Sequence, residues 1–171
     1  MKYILIVIFV VLAVATAVYV VKENSTGDKP ADTISVEPGG TTTTTVRGVL
    51  NLSGQGLTKA PGYIFTRTDV EELNLSNNEL DGSLQAEIRH LQNLKILNLS
   101  NNKFTGVPAE IGQLKNLEVL NLSNNRLTGL PYELGNLSKL KLLDLSGNAY
   151  SEADLAKIRA SLPSSTVIKT R

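Results

Sequence analysis

One phrase, apolar-x-x-Leu-x-Leu-x-x-Asn-x-apolar, recurs along the chain and limits what it can fold into. It reads most fully over residues 94–104. Copies, with small lapses, begin at Arg47, Val70, Leu94, Leu117 and Leu140, in steps of 23, 24, 23 and 23 residues. A fixed period of this length marks a stack of short units, each adding one coil to a solenoid. Inside a copy two leucines stand two apart, as Leu97 and Leu99 do, so an extended backbone sends both to one face. The pair recurs as Leu50/Leu52, Leu73/Leu75, Leu120/Leu122 and Leu143/Leu145. A single coil is too small to bury its own apolar face, so its neighbours supply the missing wall.

The second half of each copy changes period. Leu84, Ile88, Leu91 and Leu94 are spaced 4, 3 and 3, as are Val107, Ile111, Leu114 and Leu117, and Leu130, Leu134, Leu137 and Leu140. That is helical spacing. Pro108 and Pro131 stand where a helical turn would start, and Gly112 and Gly135 limit its length. The expected fold is α/β: a solenoid with a parallel sheet on its concave face and short helical or 3₁₀ turns on its convex face.

Residues 47–150, and with them the tail to 171, resemble leucine-rich repeat proteins. The segment from Phe104 to Leu117 is similar to repeats of plant receptor ectodomains and of some bacterial proteins. The resemblance implies that the ninth-place asparagines, Asn78, Asn102, Asn125 and Asn148, point inward and bond backbone groups of adjacent coils. Such groups would otherwise be buried unpaired. The first copy departs from the pattern with Gln55 and is expected to fray or to act as a cap. Asn101, a surface place of the same loop, is expected to tolerate alanine within about 0.5 kcal/mol. The resemblance also implies that third- and fifth-place side chains project from the strands toward a partner. In this chain these are Glu72, Ile96, Val119 and Leu142, and Asn74, Asn98, Asn121 and Asp144. Val49 and Asn51 stand at the same places in the first copy.

Residues 4–21 carry no charge and lie between Lys2 and Lys22. As a helix they would extend roughly 27 Å, about the thickness of a hydrocarbon core. A signal peptide competes with a membrane anchor here, because Ala15-Thr16-Ala17 has the form of a cleavage site. The apolar run continues through Val21, past that site, so the expectation for 1–21 is an uncleaved single-pass anchor, with a secreted protein as the alternative. From Lys2 and the amino group the expected orientation is a cytoplasmic N-terminus with the repeats outside. Residues 22–43 are rich in turn formers and poor in apolar side chains, and read as a flexible linker. The repeat domain is expected over 44–171, closed by a cap at 151–171. In that cap Ser151 starts a helix with the stripe Leu155, Ile158 and Leu162, Pro163 stops it, and residues 166–169 add a last strand.

The remaining chemistry is sparse. The chain has no cysteine, one histidine, and 17 basic against 16 acidic residues without a basic block. That argues against disulfides, zinc and nucleic acid. Lack of cysteine-stapled caps favours a bacterial, archaeal or intracellular source. His90 reads as a surface residue. Asp69, Glu71, Glu72, Glu79 and Asp81 form an acidic cluster in the second copy, read as a solvated face. Six Asn-x-Ser/Thr sequons, at Asn24, Asn51, Asn74, Asn98, Asn121 and Asn136, follow mostly from the repeat phrase. No nucleophile–base set and no phosphate-binding glycine motif is present. The expectation is a monomeric non-enzyme without cofactor or metal, anchored through residues 4–21 and binding a protein or peptide on its concave face. The alternative is a structural or adhesive cell-envelope spacer with no discrete ligand.

Overall fold

The computed structural model describes residues 33–36, 42–45 and 48–170. The expected anchor at 4–21 lies outside the described residues, and among these no helix is long and apolar enough to cross a membrane.

The strands are β1 (Thr33–Val36), β2 (Thr42–Thr45), β3 (Val49–Asn51), β4 (Glu72–Asn74), β5 (Asp81–Gly82), β6 (Ile96–Asn98), β7 (Lys103–Phe104), β8 (Val119–Asn121), β9 (Leu142–Asp144) and β10 (Val167–Lys169). One sheet runs β10-β9-β8-β6-β4-β3, and its pairs are all parallel. Equivalent places of the repeat fall opposite one another, so Leu73, Leu97, Leu120 and Leu143 stand in one register row. These leucines and the paired Leu75, Leu99, Leu122 and Leu145 are fully buried.

The return halves are 3₁₀ turns at Gly62–Thr66, Ala86–His90, Ala109–Gln113 and Tyr132–Asn136. Pro108 and Pro131 stand just ahead of the last two with extended backbone, ψ 144° and 134°. Ile64, Ile88, Ile111 and Leu134 turn inward from them and complete the core. Gly112 has a reason beyond ending a turn. A Cβ added there would lie 2.1 Å from the carbonyl oxygen of Glu133 on the next coil.

Helix α1 (Glu152–Ser161) follows the last coil. The Ser151 hydroxyl accepts from the Asp154 N–H at 3.3 Å, capping one of the free donors of the first turn. Leu155, Ile158 and Leu162 are buried and cover the end of the core. Beyond Pro163 the chain returns as β10 beside β9.

Three features depart from the sequence reading. First, β1 and β2 pair antiparallel, Thr33 opposite Thr45 and Val36 opposite Thr42. Thr33–Val36 lies within the expected linker, while the threonine run that forms Thr42–Thr45 reads in the sequence as either a short edge strand or extended chain. Threonine, isoleucine and valine on either side of Pro38-Gly39-Gly40 favour that pairing. Second, β5 and β7 form a small parallel sheet of their own, with Asp81 opposite Lys103 and Gly82 opposite Phe104. Third, Asn77, Asn101 and Asn124 have φ of 57°, 55° and 53°. Asn101 is thus no neutral surface place. Alanine in the left-handed region costs about 1 kcal/mol, where asparagine is tolerated.

Candidate functional site

The outward face of the six-stranded sheet is built from third and fifth places, because these alternate with the buried leucines. Register puts Glu72, Ile96, Val119 and Leu142 in one row and Asn74, Asn98, Asn121 and Asp144 in the next. All eight are half-buried. The rows continue onto the last strand, where Val167 stands opposite Leu142 and Lys169 opposite Asp144. Val167 is 57% exposed, the most open apolar side chain of the row. Sequence reasoning recognised this strand but not its register. The signal was present, since Val167-Ile168-Lys169 repeats the Leu142-Leu143-Asp144 alternation.

Along one side of the apolar row runs an alternation of charge. Lys95 Nζ is 2.6 Å from Glu71 Oε2, and Lys141 Nζ is 2.6 Å from Glu118 Oε2. The hydrogen bond to Glu71 raises the Lys95 pKa above its ordinary value, and the bond from Lys141 lowers that of Glu118. These pairs are exposed, so each contributes little to stability and can exchange partners readily. Lys169 and Asp144 add a looser pair at 3.8 Å.

On the other side lie the asparagines. Asn98 Oδ1 accepts from the Ser100 N–H at 3.1 Å and the Ser100 hydroxyl at 2.8 Å. Asn121 Oδ1 does the same with Ser123, at 3.0 and 2.8 Å. Asp144 Oδ1 holds Ser146 in the same way, at 3.1 and 2.6 Å. Asn74 Oδ1 accepts from the Ser76 N–H at 3.0 Å. The repeated Asn-x-Ser is therefore a side-chain turn that closes each strand.

Behind this face stands the inward asparagine ladder. Asn102 Nδ2 donates to the carbonyls of Leu75, Leu99 and Ser100, and its Oδ1 accepts from the Leu80 N–H. Asn125 and Asn148 repeat the arrangement one coil further on each time. Asn78 differs. Its Nδ2 reaches Leu52 O, Leu75 O and Ser76 O, and its Oδ1 accepts from both the Gln55 and Leu57 N–H groups. A second, outer ladder was not anticipated. Asn124 Nδ2 donates to Asn101 Oδ1 and Asn101 Nδ2 to Asn77 Oδ1, each at 3.0 Å.

The acidic cluster of the second copy is not brought together as a site. Asp69 pairs with Arg67, Glu71 with Lys95 and Glu79 with Lys103. His90 is exposed at the end of its 3₁₀ turn.

The repeat geometry defines a class, a parallel-stacked solenoid with an open sheet face. Residues 49–104 and 92–149 match the leucine rich repeat family, and the chain belongs to it. Receptor-like protein 18 of Arabidopsis thaliana is 43% identical over 56 residues, 33% of this chain and 7% of that protein. A leucine-rich repeat protein of Leptospira interrogans superposes with a TM-score of 0.60 at 40% identity, covering 65% of this chain and 28% of that one. The plant peptide hormone receptor RGFR1, solved in complex with RGF2, superposes with a TM-score of 0.55 at 28% identity, covering 66% of this chain and 18% of that one. The chain thus spans well under a third of the length of each of these proteins.

Proposed function

We propose that this protein is a binding module whose outward sheet face docks a protein or peptide, displayed outside the cytoplasmic membrane by residues 4–21. The observation that carries the reading is the unbroken aliphatic row Ile96, Val119 and Leu142, continued by Val167. A solvated sheet face normally presents polar residues, and an aliphatic stripe rimmed by charge has the layout of an interaction patch. Similarity to a peptide hormone receptor supports a peptide or protein as ligand. Nothing in the face resembles a set of catalytic groups, so the reading is of a non-enzyme. Retention of residues 4–21 is checked by intact mass of the membrane-bound protein; a chain beginning near Val18 makes it secreted instead.

The docking face is tested by Ile96→Glu combined with Val119→Lys. Both places are half-buried on the outward side, so circular dichroism and melting temperature should stay close to the parent's. Affinity capture from native membranes with parent and variant should then differ by at least tenfold in the recovered partner. Equal recovery moves the docking site elsewhere. Absence of any partner, with charge tolerated across the whole surface, favours the structural spacer.

A further inference from the structure

We propose that the outward sheet face recognises a proline-rich peptide in the polyproline II conformation, laid across the strands from β4 to β10. This deepens the docking-face reading and rests on it. The key is the orientation of three amides. The Oδ1 atoms of Asn74, Asn98 and Asn121 are each fixed by a backbone N–H two residues on, at 3.0–3.1 Å. An amide flip would set donor against donor, so each Nδ2 is left on the outward side. Among the described residues no protein acceptor meets these three groups. The face therefore presents three NH₂ donors about 4.8 Å apart, one each on β4, β6 and β8, and on β9 the row continues as the Asp144 carboxylate, whose Oδ1 is already held by Ser146.

Three successive donors select their ligand. An ordinary extended peptide carries N–H and C=O groups in equal number, and its N–H groups would find no partner among these three amides. A proline-rich segment has carbonyls but few N–H groups, and in polyproline II those carbonyls all stand free of internal bonds. Pitch agrees as well. Polyproline II advances about 9.3 Å per three-residue turn, and two strand-to-strand steps span about 9.6 Å. One side of such a helix thus returns to the same height at every second coil. The sheet's own charges repeat on that interval, Glu71 with Glu118 and Lys95 with Lys141. The aliphatic row Ile96, Val119, Leu142 and Val167 lies beside the amide row and gives the pyrrolidine rings an apolar track. Because the ligand is already in its bound conformation, little ordering entropy opposes binding.

The probe is a fluorescein-labelled, end-blocked decaproline, about 31 Å long, against the roughly 19 Å from β4 to β10. A ten-residue Gly/Ser peptide is the comparison, and the full chain in detergent is titrated by fluorescence anisotropy. Decaproline should bind at least tenfold more tightly than Gly/Ser. Asn98→Asp with Asn121→Asp removes the donors and keeps the turn, as Asp144 demonstrates in the same row. That variant should lose at least tenfold in affinity for decaproline with its melting temperature unchanged. Equal binding of the two peptides, no binding of decaproline, or decaproline binding indifferent to the two aspartates each overturns the proposal. Should it fall while Ile96→Glu with Val119→Lys still abolishes partner capture, the docking face stands and only the ligand class is wrong.

Discussion

Asn78→Ala should destabilise the repeat domain by about 4 kcal/mol, more than the same change at Asn102. The prediction follows from which backbone groups each side chain alone satisfies. When Asn102 is removed, Leu75 O keeps Asn78, Leu99 O keeps Asn125, and Ser100 O keeps the Asn77 N–H. Only the Leu80 N–H, bonded to Asn102 Oδ1, is orphaned. One buried unpaired group costs about 1–3 kcal/mol. Asn78 has no ladder neighbour on its N-terminal side, because Gln55 stands at the ninth place of the first copy. Its loss orphans Leu52 O and the N–H groups of Gln55 and Leu57 together. The last two are only part-buried, so water recovers some of the loss and keeps the total below three full penalties. Urea melts of the two variants decide the order. Because coils of a solenoid couple mainly to their neighbours, a reduced m-value for Asn78→Ala would report detachment of the first coil alone. An Asn78→Ala cost at or below that of Asn102→Ala contradicts the shared-partner argument. In the same melts Asn101→Ala should cost about 1 kcal/mol and Asn101→Gly close to nothing, since only the alanine is strained at φ 55°.

These cases separate what the sequence could reveal from what it could not. The coils were legible because their signal is periodic: Leu97 and Leu99 repeat in every copy, and the burial of such rows is dictated by spacing alone. The ninth-place asparagine was legible through its resemblance to a known pattern, although the sharing of carbonyls between successive asparagines is a property of the stack. The left-handed asparagines had a signal that went unread. Gly54 and Gly147 occupy the place of Asn77, Asn101 and Asn124, and both have positive φ, 68° and 69°. A column that admits only glycine and asparagine is a statement about backbone conformation. The β5–β7 pair had no such signal. Two-residue strands carry no period, and Asp81-Gly82 reads as a turn on its own. For the candidate site, the rows were legible and their chemistry was not. Asparagine at the fifth place could have been a mere stacking ladder; the serine two residues later is what turns its amide outward, and that requires coordinates. Val167 was missed because a strand's register depends on how α1 returns the chain to the sheet.

Gly112→Ala should destabilise the domain by about 3 kcal/mol, an unusually large effect for one added methyl group. Gly112 sits at the end of the 3₁₀ turn Ala109–Gln113 and is buried. A Cβ there would stand 2.1 Å from Glu133 O and 2.7 Å from Glu133 C. The obstacle is backbone, so no side-chain rotation relieves it, and the next coil as a whole must move. Forced repacking of this kind costs about 1–3 kcal/mol and occasionally more. Coil spacing explains why the glycine is needed here and not everywhere. The same place in the first two turns is held by Phe65 and Arg89, so the gap between those coils admits a side chain. From Gly112 onward the coils close up, and at Gly135 a Cβ would approach Ser161 of α1 to 2.7 Å. That neighbour is a Cβ fixed to its backbone, but it belongs to the exposed last residue of the helix, whose end can shift outward, so Gly135→Ala should cost less, about 1–2 kcal/mol. Gly106 is the internal control. A Cβ there meets nothing within 4 Å, so alanine should fall within about 0.5 kcal/mol of the parent or slightly above it. Urea melts of the three variants should rank Gly112 first, Gly135 second and Gly106 last. A Gly112→Ala protein within about 0.5 kcal/mol of the parent would mean that the third and fourth coils slide apart freely. The stack would then be held by its sheet and leucine rows, with no contribution from close approach of its turns.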